Sequence, residues 1–205
     1  MMNNPTKVTG VILAGGQARR MNYRDKGLIT YQGRPMVSYA IAALKTVTDQ
    51  VIINANRSRD EYLQFDLPVI ADQTDSFDGP LAGILTAMIY AETGVLAVIP
   101  CDSPLIRAEH ILKLLSARTE NDADIAVAFD GQRLHPVFLA IKTDLKTSLQ
   151  DYLAGGQRKV DFWLTQQKWL AVDFSSEPDI FININTLTEL SALENKETPC
   201  APAAR

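Results

Sequence analysis

The sequence predicts a single α/β domain over residues 1–205, built on one doubly wound, mainly parallel sheet with an antiparallel edge in the C-terminal third. Three observations predict it. Short runs that are apolar on both alternating faces recur through the first hundred residues, as strands covered on two sides require. Helical patterns separate those runs. Neither an internal repeat nor a linker-like stretch interrupts the chain.

The elements follow in order. Residues 8–14 form the first apolar run, which stops at Gly15-Gly16; residues 51–53, 68–71 and 95–99 form the next three. Between them, Met36, Val37, Ala40, Ile41 and Leu44 share one helical face behind Pro35. Leu81, Ile84, Leu85 and Met88 repeat the pattern after Gly79-Pro80, and Ile111, Leu114 and Leu115 do so after Pro104. The last third is less regular. Residues 125–129 and 136–141 read as strands around an Asp130-Gly131 turn, and residues 144–153 as a helix stopped by Gly155-Gly156. Residues 169–174 and 181–185 read as short strands, followed by a helix carrying Leu187, Leu190 and Leu193. Residues 1–7 and 196–205 are expected to be frayed ends.

Composition excludes several classes. A net charge of −4 argues against a general nucleic-acid or membrane binder, so an anionic ligand needs a local cluster of cations. Cys101 and Cys200 lie far apart and outside any CxxC or Cys/His spacing, which disfavours disulfide and zinc scaffolds. No apolar run approaches the ~18 residues of a membrane span. The first residues lack a signal peptide's apolar stretch, and the expected compartment is the cytoplasm.

In open α/β sheets, ligands sit beyond the carboxyl ends of the strands. Here those ends are polar: the first run opens into a loop with Gly15 and Gly16, and the next three end at Asn54, Asp72 and Asp102. Arg19, Arg20, Arg24 and Lys26 place four cations within eight residues of that first loop. Paired glycines let backbone N–H groups face an anion, and mobile cations beside them suit a triphosphate. The alternative is a solvated basic loop. The segment is neither GxxxxGK[ST] nor GxGxxG, which argues against a P-loop NTPase and a Rossmann oxidoreductase.

The run Leu13-Ala14-Gly15-Gly16-Gln17-Ala18-Arg19-Arg20-Met21, closed by Asp25-Lys26, resembles the LAGGxSxRMGxDK signature of the molybdenum cofactor guanylyltransferases. Asn54, Asp72, the segment from Gly79 to Gly83, Pro100-Cys101-Asp102 and the FxNxNT-like segment from Phe181 to Thr186 match in the same order. Ala18, Asn22 and Leu187 depart from the pattern and remove no charged group. The resemblance implies the fold of the sugar-phosphate and cofactor nucleotidyltransferases, which is Rossmann-related. It implies Mg²⁺-dependent transfer of GMP from GTP to the phosphate of molybdopterin, with release of pyrophosphate.

Residue roles follow from the same resemblance. Leu13, Ala14 and Gly15 approach the nucleotide through their backbone, while Arg20 and Lys26 neutralise phosphates. Asn54 and Asp72 contact the nucleoside, Gly79, Pro80 and Leu81 frame the base, and Asp102 holds Mg²⁺. Arg158, Asn183 and Asn185 are the acceptor-side candidates. Partners are GTP, molybdopterin or the molybdenum cofactor, and, by extension, other molybdenum cofactor biosynthesis proteins and acceptor apoenzymes. Nucleic acid and membrane are excluded.

Plainer readings stand beside several of these. Asp72 and Asp102 serve equally as helix caps, and 79–83 as a turn opening a helix. Cys101 reads as a buried apolar residue and Trp163 and Trp169 as core. His110 falls on a face the pattern exposes and has no assigned function, while His135 is structural or faces the acceptor. Two other functions are open: a CTP-dependent transferase of the same fold, and a non-catalytic nucleotide-binding regulator.

Overall fold

The computed structural model describes residues 6–15, 25–73 and 79–197. Its elements in chain order are β1 (Val8–Leu13), β2 (Thr30–Tyr31), β3 (Arg34–Pro35), α1 (Met36–Lys45), β4 (Gln50–Asn54), α2 (Arg59–Leu63), β5 (Val69–Ile70), α3 (Pro80–Tyr90), β6 (Val95–Pro100) and α4 (Ala108–Glu120). There follow β7 (Ile125–Phe129), β8 (Leu134–Lys142), α5 (Lys146–Ala154), α6 (Val160–Leu164), β9 (Trp169–Asp173) and α7 (Leu187–Glu197). The expectations for Gly16, Arg19, Arg20 and Arg24 concern residues outside those described.

Seven strands form one sheet in the order β5-β4-β1-β6-β8-β7-β9. β1 pairs in parallel with both β4 and β6, β4 with β5, and β7 with β9. β8 runs antiparallel to β6 and β7, so the antiparallel member from the C-terminal third lies inside the sheet. After β1 the chain winds outward to β4 and β5, then crosses back to β6. That reversal opens a crevice at the carboxyl end of β1, the usual ligand position in such folds.

Alternate residues of each central strand feed two separate cores. Ile12, Ile53 and Ile99 pack against Val37 and Leu44 of α1 and Leu114 of α4. Val11, Ile52 and Val98 pack against Leu81 and Ile84 of α3, Leu149 of α5 and Trp163 of α6. This double covering is why the strands read as continuous apolar runs. Each such fully buried side chain contributes roughly 1.5–3 kcal/mol relative to exposure. Trp163 is fully buried and belongs to the core, with its indole N–H 3.3 Å from Ser148 Oγ.

Three parts of the sequence reading need correction. Residues 181–185 do not form a strand: a 3₁₀ turn spans Pro178–Phe181, and the chain then runs irregularly to α7. The backbone explains it, because Ile184 N–H donates to Asp102 O at 3.1 Å and so pairs with a loop, not with a ladder. His110 is 3 % exposed, turned inward against Phe174. α7 runs to Glu197, into the expected frayed end.

A small third core fixes α7. Leu190 and Leu193 pack with Ile184, Met36 and Tyr31 of the β2–β3 hairpin. Its start is a reciprocal cap: Glu189 N–H donates to Thr186 Oγ1, while Glu189 Oε2 accepts from the N–H groups of Asn185 and Thr186. Ile184 is fully buried between Asn183 and Asn185, which fixes where both asparagines emerge.

Candidate active site

The carboxyl ends of β5, β4, β1 and β6 enclose a cavity of about 520 Å³, a usual size for a small-molecule site. Leu13, Ala14, Gly15, Lys26, Asn54, Asp72, Gly79, Pro80, Asp102 and Asn183 all line it, so the topology gathers these predicted residues at one sheet edge. Leu81 does not reach it, since its side chain is fully buried in the core under α3. Arg158 is not among the described lining residues; its guanidinium donates to the carbonyls of Leu153 and Gln157 at 2.8 and 2.7 Å.

The first loop starts from a firmly held strand end. Ala14 N–H donates to Asn54 O at 2.8 Å, and Leu13 O accepts from Cys101 N–H at 3.1 Å. These bonds tie β1 to the ends of both neighbours. Across the cavity, Gly79 takes a positive φ of 76°, and Pro80 opens α3 where its missing N–H costs nothing. Gly83 lies one turn further along. A Cβ there would meet Asn54 Oδ1 at 2.3 Å, so only glycine lets α3 approach the end of β4 this closely.

One end of the cavity is built around Lys26. Its Nζ lies 3.1 Å from Asp102 Oδ2 and 2.5 Å from Asn185 Oδ1. Asn185 thus enters the site through Lys26, while Asn183 Oδ1 accepts from Ser103 Oγ at 2.5 Å. Asp102 is 8 % exposed and does not cap the following helix, which begins at Ala108 behind Arg107. Nor does Asp72 cap α3, whose cap is Gly79. Both carboxylates therefore face the cavity without the helix-cap role that the sequence allowed.

Asp25 anchors the turn that carries Lys26. Its Oδ1 accepts from the Tyr62 hydroxyl and from Gly27 N–H, whereas Oδ2 is buried with no hydrogen-bond partner. Burial pushes its carboxyl above the ordinary aspartate range, and burial likewise raises the Tyr62 phenol and the Cys101 thiol. Cys101 is a buried apolar residue, as the sequence reading expected, and burial keeps its thiol protonated and unreactive.

A pH dependence follows from the raised Asp25 carboxyl. The folded protein binds this proton more tightly than the unfolded chain does. The associated stability is present below the unfolded value and lost as pH rises through the folded one. Asp25→Asn keeps an acceptor for Tyr62 and Gly27 without the charge. Its urea midpoint at pH 7 is expected to equal or exceed that of the parent, with a flatter pH profile above the carboxylate range. A variant less stable at every pH would contradict this.

The donor set fits a hard divalent cation. Asp102 lines the cavity beside the Lys26 ammonium, with one carboxylate oxygen 3.1 Å from Nζ. Such cations take oxygen ligands, commonly one or two carboxylates plus substrate phosphates. A separate group of metal-ligand type is tied up by its own contacts. Glu109, His110 and Glu177 bring ligand atoms within 4.8 Å. But His110 Nδ1 accepts from Arg107 N–H at 3.0 Å, so in the neutral ring Nε2 carries the hydrogen and points at Glu177, 3.5 Å away. His135 is structural too: Nε2 sits 2.7 Å from Asp130 Oδ2, and the ring stacks 4.0 Å from Phe181.

Sequence reasoning missed Asn56, Tyr62 and Ser103. Asn56 carried a usable signal, since Asn54 and Asn56 are two apart and so share a side of an extended chain. Tyr62 and Ser103 carried none, because their partners are distant in sequence.

Residues 10–169 match the family described as MobA-like NTP transferase domain. The molybdenum cofactor guanylyltransferase of Shewanella halifaxensis is 42 % identical over 180 residues, covering 88 % of this chain and 90 % of that protein. Its namesake in Shewanella piezotolerans is 40 % identical over 199 residues, covering 94 % and 98 %. Among solved structures, molybdopterin-guanine dinucleotide biosynthesis protein A from Archaeoglobus fulgidus superposes with a TM-score of 0.77 at 19 % identity, over 92 % of this chain and 97 % of that one. A CMP:2-keto-3-deoxy-manno-octonic acid synthetase in complex with CTP shares the fold at a TM-score of 0.72 and 14 % identity, over 93 % and 98 %. The architecture alone therefore serves more than one nucleotide, and sequence kinship separates them: the chain belongs to the molybdenum cofactor guanylyltransferases of the MobA-like NTP transferase family.

Proposed function

We propose that this chain transfers GMP from GTP to the phosphate of molybdopterin, with Mg²⁺, in the cytoplasm. The observation that carries the reading is the convergence of the Leu13–Gly15 loop, Lys26, Asn54, Asp72 and Asp102 on one cavity in a member of this family. Among the described residues, no helix is long and apolar enough to cross a membrane. A non-catalytic regulator is disfavoured because Lys26 and Asp102 both face the cavity.

The nucleotide lies across the sheet edge. Asp72 follows β5 and Asp102 follows β6, three strand spacings apart in the sheet, or roughly 14 Å at about 4.8 Å each. The base occupies the Asp72 end, between Gly79-Pro80 and the β4 loop. Phosphates occupy the Lys26–Asp102 end, where Lys26 neutralises them; the family pattern gives the same role to Arg20, which lies outside the described residues. Asp72 accepts from Asn54 and Asn56 and keeps further lone pairs for a ligand. Guanine presents two adjacent donors, N1–H and the 2-amino group, whereas adenine and cytosine each set a donor beside an acceptor. A carboxylate, which only accepts, matches guanine, and this disfavours the CTP-dependent alternative.

Asp102 holds Mg²⁺, which supplies charge to stabilise the departing pyrophosphate. An oxygen of the acceptor phosphate bonds to the α-phosphorus as the bond to the β-phosphate's bridging oxygen breaks, so no protein nucleophile is required. The chain's contribution is position and charge. Asn183 and Asn185 orient the acceptor side of the cavity, and Arg158 grips the acceptor's anionic groups. Arg158→Ala is then expected to bind GTP normally while its KM for acceptor rises about tenfold, as loss of a charge-assisted contact implies. Normal transfer at limiting acceptor would make Arg158 a surface residue. The central test supplies labelled GTP, Mg²⁺ and molybdopterin-loaded protein. Formation of a guanine dinucleotide with pyrophosphate is expected, and transfer from CTP instead would overturn the assignment.

A further inference from the structure

We infer that Asn56 is a positioning residue for nucleotide selection: it clamps Asp72 so that the carboxylate presents a fixed pair of acceptors to the guanine edge. The inference rests on the reading of Asp72 given above and extends it to a residue with no assigned role.

Asn56 and Asp72 close a reciprocal ring. Asn56 Nδ2 donates to Asp72 Oδ2 at 2.8 Å, and Asp72 N–H donates to Asn56 Oδ1 at 2.8 Å. The ring fixes which way the amide faces, because flipping it would set oxygen against carboxylate and NH₂ against N–H. Asn54 Nδ2 holds the other carboxylate oxygen at 2.9 Å. Each Asp72 oxygen is thus fixed by one amide, and the carboxylate plane cannot turn without losing a bond.

The backbone supports the clamp. Ala55, between the two asparagines, is fully buried and donates to Ile70 O at 2.9 Å. It nails the β4 loop to the end of β5 and leaves both asparagines facing the cavity that they line. Asn56 also borders the first loop, since a Cβ on Gly15 would stand 3.5 Å from Asn56 Nδ2. Asn54 is 2 % exposed and packed beneath Gly83, so its role includes seating α3. Asn56 has no such packing duty among the described residues and is half-buried. That makes it the better probe of aim, as distinct from fold.

Asn56→Asp tests the idea. It keeps the acceptor for Asp72 N–H and the side chain's shape, but sets a second anion against Asp72 Oδ2. Calorimetry would compare GTP with ITP, which lacks the 2-amino group. The parent is expected to prefer GTP by about tenfold or more, as a site built to hydrogen-bond a substrate group does. In Asn56→Asp that preference is expected to fall below about threefold. KM for GTP rises, kcat changes less because the reacting end is elsewhere, and adding Asn56→Asp to Asp72→Asn weakens GTP binding no further. Asn56→Ser, smaller and neutral, serves if the aspartate variant does not fold, with the same loss of preference expected. Retained preference in a folded variant, or additive losses in the double variant, would overturn the role of Asn56. Equal GTP and ITP binding by the parent would overturn the Asp72 reading and this inference with it, yet leave guanylyl transfer intact. Failure of the parent to bind GTP would instead overturn the proposed function itself.

Discussion

Asp102→Ala is expected to lower guanylyl transfer by about three orders of magnitude, the scale on which removing a preorganised charge-stabilising group acts, while the protein remains folded. The carboxylate sits at the end of β6, 8 % exposed, with one oxygen 3.1 Å from Lys26 Nζ. Its removal takes away the carboxylate that pairs with Lys26 at that end of the cavity. Stability should fall by only about 1 kcal/mol, as for a partly exposed ion pair. Lys26 is 24 % exposed and keeps Asn185, so its ammonium is not stranded. Asp102→Asn discriminates between charge and shape. The amide fills the same space and should be nearly as inactive if the negative charge holds the metal. Transfer rates measured across a Mg²⁺ titration, with melting temperatures alongside, decide the matter. Substantial Mg²⁺-dependent turnover by either variant would remove Asp102 from the metal role.

What the sequence revealed depended on how local the cause was. β1, β4 and β6 were legible because burial on both faces makes each strand apolar throughout, and no tertiary detail is needed to see it. That Asn54, Asp72 and Asp102 meet at one cavity was legible because a parallel sheet brings its carboxyl ends together whatever the loops do. Irregular segments gave way first. Residues 181–185 alternate like a strand, yet their N–H groups bond locally or to a loop: Ile182 to Asp179 O, Ile184 to Asp102 O and Asn185 to the Glu189 carboxylate. His110 looks exposed by helical spacing but is covered by Phe174, which arrives from the far end of β9. Asn185 meets Lys26 across 159 residues, a contact that neither periodicity nor local propensity encodes. The family pattern flagged both residues, and only the folded chain joins them.

That contact makes Lys26→Ala the more informative of the large effects. Its ammonium bridges Asp102, on the proposed metal loop, and Asn185, on the acceptor-side segment, so one charge organises both halves of the phosphate end. Removing it is expected to weaken GTP binding and slow transfer together, lowering kcat/KM by about 10²–10³-fold, because the charge meets phosphate in the ground state and in the transition state. Arginine should rescue poorly, since a planar fork on a longer stem cannot replace a compact ammonium held between two oxygens. A second readout separates this role from simple loss of charge. Without nucleotide, the ammonium and a divalent cation compete for Asp102. Lys26→Ala should therefore bind Mg²⁺ more tightly than the parent in the absence of GTP, although it binds GTP more weakly. Calorimetric titrations with Mg²⁺ alone, with GTP alone and with both would show the opposite signs. If Mg²⁺ affinity without GTP is unchanged while GTP affinity falls, Lys26 serves the phosphates only. If neither moves, its ammonium is a structural tie between Asp102 and Asn185, and the phosphates are held by other groups.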